Sequence, residues 1–118
     1  MTVEELAQRL ELRVAVGGEA LSREVAGGYC GDLLSWVMSR AQSGDVWFTV
    51  MGNVNSIAVA MLADVACIVL CEDAPLDEDA RARAQEKGIA VLVSEENAYR
   101  LASRLSVLIL SLIHISEP

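Results

Sequence analysis

Three apolar runs decide what this chain can become: Asp45-Val46-Trp47-Phe48-Thr49-Val50-Met51, Ala66-Cys67-Ile68-Val69-Leu70-Cys71 and Ile89-Ala90-Val91-Leu92-Val93. Each is too short for a core helix, rich in β-branched or aromatic residues, and free of apolar–polar alternation. That pattern belongs to strands covered on both faces, as in a parallel sheet flanked by helices. Residues 52–65 and 72–88 separate the runs. Each gap has room for the helix that a right-handed crossover between parallel neighbours requires. The expected fold is α/β, a three-layer α/β/α sandwich with a mostly parallel sheet of about five strands.

Local signals agree with this frame. Thr2-Val3-Glu4-Glu5 forms a capping box, and Leu6 and Leu10 follow at helical spacing as far as Leu12. Arg13-Val14-Ala15-Val16 and Arg23-Glu24-Val25-Ala26 read as short strands closed by Gly17-Gly18 and Gly27-Gly28. Leu33, Leu34, Trp36, Val37, Met38 and Ala41 recur with a helical period; Asp32 is expected to cap that helix and Gly44 to stop it. Asn53 or Asn55 caps the next helix, through Ile57 to Leu62. Asp77-Glu78-Asp79 stands where a helix dipole favours carboxylates, with Arg81, Arg83 and Lys87 further along and Gly88 at the stop. This charge run reads as a solvated helix face. Ser94-Glu95-Glu96-Asn97 opens a final helix through Leu105, and all eight glycines fall at predicted junctions.

The expected domain spans residues 1–105. Residues 106–118 form an atypical tail, mostly uncharged and without capping logic, and the closing stretch from Leu112 to Pro118 reads as foreign to the natural domain. The tail is expected either to extend the last helix or to be poorly ordered.

Nine Lys and Arg against seventeen Asp and Glu give a net charge of -8, the wrong sign for nucleic acid or an anionic membrane surface. Neither tryptophan lies among basic residues, so a base-stacking platform is missing as well. No apolar run approaches the ~20 residues of a membrane-spanning helix. Cys30, Cys67 and Cys71 are odd in number and the amino terminus is acidic, without the look of a secretory leader, so the expected location is cytoplasmic. Cys67 and Cys71 share a strand face as buried thiols. With His114 the sole histidine, no metal site, cofactor or catalytic residue is expected.

Two loops make the candidate site. Gly27-Gly28-Tyr29-Cys30-Gly31-Asp32 links a strand to a helix start, either as a tight structural turn or as an anion cradle of backbone amides. In Met51-Gly52-Asn53-Val54-Asn55 the carboxamides either cap a helix or face a ligand. Parallel strands bring their carboxyl ends to one rim. Gly27, Gly28, Asp32, Gly52, Asn53 and Asn55 are therefore expected to converge as ligand-binding residues. The helix from 33 to 41 is apolar enough to bury a second face against another subunit.

The stretch from Arg23 to Ser35, then Gly44 to Thr49, Asn53 to Ala60, Asp64 to Val69 and Gly88 to Leu92, resembles the DRTGG domain family in order and spacing, over roughly residues 1–105. Of the namesake motif, Gly27 and Gly28 stand here, with Arg23 ahead of them and no Thr before the pair. The resemblance implies a fold similar to the amino-terminal domain of HPr kinase/phosphorylase. The kinase half is not implied, because no Gly-x-x-x-x-Gly-Lys-Ser/Thr loop occurs. The family also supplies accessory modules in CBS-domain pyrophosphatases and phosphate acetyltransferase-like proteins. It includes small proteins encoded near iron-only hydrogenase components in anaerobic bacteria, the kind this chain looks like. The resemblance thus implies a non-enzymatic regulatory or ligand-sensing module, acting as a homodimer or beside a larger enzyme such as an iron-only hydrogenase system. Its ligand would be a small anionic molecule or nucleotide. The alternative is a protein–protein interaction or assembly domain without a small ligand.

Overall fold

The computed structural model describes residues 1–116, with side chains described as far as Leu112. Glu117 and Pro118 of the predicted tail, and the side chain of His114, lie outside the described residues. The chain forms α1 (Val3–Arg9), β1 (Arg13–Val16), a 3₁₀ turn (Gly18–Ser22), β2 (Gly27–Cys30), α2 (Leu34–Arg40), β3 (Asp45–Thr49), α3 (Val54–Ala63), β4 (Cys67–Leu70), α4 (Glu78–Lys87), β5 (Val91–Val93) and α5 (Ala98–Ser116). The sheet order is β1-β5-β4-β3-β2. Strands β2 to β5 run parallel, and β1 pairs antiparallel with β5.

Every residue of β3, β4 and β5 is buried, as the uninterrupted apolar runs require. Alternate side chains serve opposite layers. Val46, Phe48, Val69 and Leu92 pack beneath α1 and α5 against Leu6, Leu10, Leu101 and Leu105. Trp47, Ile68, Leu70 and Val91 pack beneath α2, α3 and α4 against Val37, Ile57, Ala60 and Ala84. This is the expected three-layer sandwich. The capping box of α1 is also in place: Glu5 N donates to Thr2 Oγ1 at 3.2 Å, and Thr2 N donates to the Glu5 carboxylate at 3.3 Å.

The second strand differs from expectation. Residues 23–26 make only one isolated bridge, Thr2↔Glu24, and lace to the amino terminus through Val3 N to Arg23 O and Val25 N to Met1 O, both 2.9 Å. The strand itself is Gly27–Cys30, so the glycine pair lies inside it. Close packing explains this. A Cβ on Gly28 would stand 3.0 Å from Leu105 Cδ2 and 3.5 Å from Phe48 Cε2, and one on Gly27 would stand 3.0 Å from Asp45 Oδ1. Glycine within a strand here marks close approach of a neighbour.

Arg23 fastens the amino-end corner of the sheet. Its Nη2 donates to the Asp64 carbonyl at 2.7 Å, and its Nη1 stands 2.8 Å from the Asp64 carboxylate, which also accepts from Ser43 Oγ. The Arg23 bond, then that of Ser43, holds the Asp64 carboxyl below its ordinary range. This contribution to stability is present above the carboxyl's unfolded pKa and is lost as the pH falls through its depressed folded value.

Two helix ends also depart from expectation. Leu33 rather than Asp32 occupies the N-cap of α2, and the helix stops at Arg40, short of Gly44. α5 continues unbroken through the atypical stretch to Ser116, taking the helix-extension form. Leu101 and Leu105 are buried and Leu108 and Ile109 pack, partly buried, against the same core, whereas Val107 is 62% exposed.

Gly28→Ala is expected to cost about 1–2 kcal/mol, and much less in a Leu105→Ala background, where the space taken by Cδ2 is vacated. Leu105→Ala alone should cost about 2–4 kcal/mol. Urea denaturation of the four proteins measures the coupling. An equal cost of Gly28→Ala in both backgrounds would show that the helix is not what reserves this glycine.

Candidate functional site

The parallel strands end together, with Cys30 beside Phe48, Thr49 beside Leu70 and Leu70 beside Val93. The loops beyond these ends form a rim of backbone groups released from the sheet. Trp47 Nε1 donates to the Gly31 carbonyl at 2.9 Å, fixing the turn after β2. Asp32 Oδ1 then accepts from Thr49 Oγ1 at 2.7 Å and from Val50 N at 3.0 Å. The carboxylate therefore ties the loop after β2 to the end of β3 instead of capping α2. Thr49 Oγ1 also accepts from Met51 N at 3.2 Å.

Gly52 is held by close approach. A Cβ there would overlap the Pro75 carbonyl oxygen, and Asp77 N donates to the Gly52 carbonyl at 2.9 Å. Asn53 is the N-cap of α3, its Oδ1 accepting from Ser56 N at 3.1 Å, and Asn55 is exposed in the first turn. Asp32, Gly52, Asn53 and Asn55 thus share one rim. Gly27 and Gly28 do not. They pair with Asp45 and Val46 at the start of β3, at the opposite ends of the strands. The expected convergence of the two glycine-bearing segments fails because β2 begins at the glycine pair instead of ending before it.

The loops after β2, β3 and β4 all lead to helices on one face of the sheet, whereas the loop after β5 leads to α5 on the other. Neighbouring strands whose chains diverge in this way leave a crevice beyond their carboxyl ends. A cleft of about 500 Å³ opens here, with Asp73 on the loop after β4, Ser94 and Glu96 on the loop after β5, Glu11 and Arg13 at the start of β1, and Arg104 of α5. Glu72 N donates to the Glu96 carbonyl and Asp73 N to the Ser94 carbonyl, each at 3.0 Å, so the two loops are fastened at the base of the cleft. Glu11, Glu72 and Asp73 adopt φ values of 55°, 58° and 56°. Left-handed backbone costs a non-glycine residue roughly 1–2 kcal/mol, and strain of this kind gathers at functional sites. The Glu96 carboxylate lies 2.7 Å from Arg104 Nη1 and 3.5 Å from Arg100 Nε. Arg13 makes no ion pair among the described residues.

The rim carries few reactive groups. Burial pushes the Cys67 and Cys71 thiols up to about 12. Partial desolvation, then the charge of Asp32, raises Cys30 as well. Among the described residues no three His, Cys, Asp or Glu side chains stand close enough together to hold a metal ion. No described helix is long and apolar enough to cross a membrane.

Arg13, Asp73, Ser94, Glu96 and Arg104 were absent from the sequence-based site. The polar stretches Glu72-Asp73-Ala74-Pro75 and Ser94-Glu95-Glu96-Asn97 directly after apolar strands were the available signal.

Gly52→Ala should lower stability by about 3 kcal/mol by forcing two loop backbones apart, as read by urea unfolding. A thiol reagent at pH 8 is expected to label Cys30 slowly in the native protein and all three cysteines after denaturation, since the buried pair holds its protons until far above that pH. Rapid native labelling of Cys67 or Cys71, followed by mass spectrometry of peptides, would contradict this account of the core.

The family model for the DRTGG domain matches residues 5–108. No curated protein matches the chain. Among solved structures, the fold is similar to that of the CBS and DRTGG domains of the regulatory region of Clostridium perfringens pyrophosphatase, complexed with its activator diadenosine tetraphosphate. The TM-score is 0.71 at 9% identity, covering 86% of this chain and 44% of that one, so the chain spans less than half of that structure. With a family match over most of its length, the chain belongs to the DRTGG domain family.

Proposed function

We propose that this chain is a non-enzymatic, ligand-sensing regulatory module that acts in the bacterial cytoplasm beside a larger enzyme. The observation that carries this reading is the polar cleft beside the diverging loops after β4 and β5, where charged groups of both signs stand on those loops, at the start of β1 and on α5. Such a site can recognise a molecule. It offers no activated nucleophile, because the thiols near the rim are raised rather than lowered. The Thr49 hydroxyl does meet the Asp32 carboxylate, but Thr49 is buried and its oxygen also accepts from Met51.

Membership of the family and likeness of fold to a regulatory region complexed with a nucleotide activator support the same reading. In it, the ligand is a small polar metabolite, with anions and nucleotides the first classes to screen. Asp32, Gly52, Asn53 and Asn55 shape the adjoining rim, Gly28 serves the packing of α5, and Gly27 leaves room for the Asp45 side chain. An iron-only hydrogenase system is the partner we favour, on the strength of the family resemblance alone.

A second reading, assembly without a small ligand, is favoured by one observation. The neighbouring helices α2 and α3 expose Trp36 (51%) and Leu62 (72%), together with Leu33 and Met61. A homodimer through this face belongs to that reading.

A thermal-shift screen with nucleotides, phosphorylated metabolites and amino acids separates the two. A ligand of the native state stabilises by about 2.7 kcal/mol at a hundredfold excess over its Kd, so a true ligand should raise the Tm by several degrees. No shift with any compound, combined with self-association that Leu62→Glu abolishes in gel filtration, would favour assembly.

A further inference from the structure

We propose that the cleft beyond β4 and β5 binds a basic amino acid, with the ligand's carboxylate on Arg13 and Ser94 and its ammonium groups on Asp73, Glu95 and Glu11. This rests on the ligand-sensing reading and gives it a site and a substrate class.

Charge accounting within the cleft leads there. Arg13 and Arg104 face Glu11, Asp73, Glu95 and Glu96. Glu96 is already matched by Arg104 and Arg100, which leaves one unpaired guanidinium and three unpaired carboxylates around the same space. None of those three stands within 4.0 Å of a guanidinium, although all line one cleft with Arg13. Groups of both signs that line one cleft of about 500 Å³ without pairing offer a dipolar molecule a partner for each of its ends. A polyphosphate would meet three uncompensated carboxylates, and a simple polyamine would have to sit against Arg13. A molecule with one carboxylate and two ammonium groups answers both.

The strand pairing fixes where the positive group stands. Arg13 lies across from Val93, beside Ser94. Ser94 Oγ accepts from Glu96 N at 3.0 Å, so its own proton remains available for a ligand oxygen. A guanidinium and a hydroxyl together make a carboxylate clamp. Asp73 enters from the loop after β4, its backbone fastened to the Ser94 carbonyl. The neighbouring Arg81 donates from Nη1 to the Ala15 carbonyl at 3.0 Å and lines a smaller adjoining cavity with Arg13 and Asp73.

The test is calorimetric titration of the full chain with L-lysine, L-ornithine and L-arginine, alongside cadaverine, 6-aminohexanoate and ATP. At least one basic amino acid should bind, and for lysine the two analogues, each lacking one charged group, should bind at least tenfold more weakly. Arg13→Gln and Asp73→Asn should each weaken binding at least tenfold with circular dichroism unchanged, whereas Asn53→Ala should leave it alone. Asp73 carries backbone strain, so Glu95→Gln serves as the second acidic variant should Asp73→Asn lose its fold. ATP binding that depends on Arg13 would overturn the ligand class while keeping the cleft. Ligand binding that depends on Asn53 and not on Arg13 would overturn the cleft while leaving ligand sensing intact. If none of these probes binds and the wider thermal-shift screen is also silent, the site and the sensing role fall together.

Discussion

Burial of β3, β4 and β5 on both faces is the constraint from which the rest of the molecule follows. A strand with no solvent-facing side chain has to be covered twice, and helices supplied by crossovers on one side alone cannot do that. α2, α3 and α4 cover one face as the chain steps from β2 to β5. The other face is left to α1 and α5, which come from the two ends of the chain. The chain must therefore pass to the other face once the crossovers are complete, and it does so after β5. The crevice between the loops after β4 and β5 is thus a consequence of covering the core. It would exist whatever side chains lined it, and the sequence has filled it with charge.

The elements whose local chemistry agrees with their burial were legible in the sequence. The apolar runs around Trp47, Ile68 and Leu92 are strands because no other short element can hide every side chain, and the Thr2–Glu5 box starts α1 where its geometry says it should. The edge strand β2 was misplaced for a physical reason. Gly27-Gly28-Tyr29-Cys30 has neither an apolar run nor a β-branched residue; Gly28 is set by Leu105, 77 residues further along the chain, and Gly27 by the Asp45 side chain. Glycine pairs usually signal turns through their backbone freedom. Here they signal close neighbours, α5 at Gly28 and the Asp45 side chain at Gly27.

The site was only half legible, for a related reason. That Asp32 and Gly52 lie at strand-to-helix junctions can be read locally, and both do reach the carboxyl rim. What Asp32 does there could not be read. Its carboxylate reaches across to Thr49 and Val50, a contact created by the pairing of β2 with β3. In the same way, the polar residues after β4 and β5 look like ordinary helix approaches until α5 is known to lie on the opposite face. The decisive fact is the path of the chain, which neither motif contains.

The distribution of left-handed backbone in this chain bears on which residues matter at the cleft. Gly18, Gly44 and Gly88 take positive φ with the residue best suited to it. Glu11, Asp64, Glu72 and Asp73 take it at a cost that glycine would remove. At Asp64 the reason is visible, because the side chain holds Arg23 and Ser43. Hydrogen bonds from the Glu72 and Asp73 amides offset the strain after β4, but a glycine could make those same bonds. What glycine could not provide is a carboxylate. Glu11 and Asp73 both line the cleft, so the strain at these two positions keeps acidic groups where the fold opens.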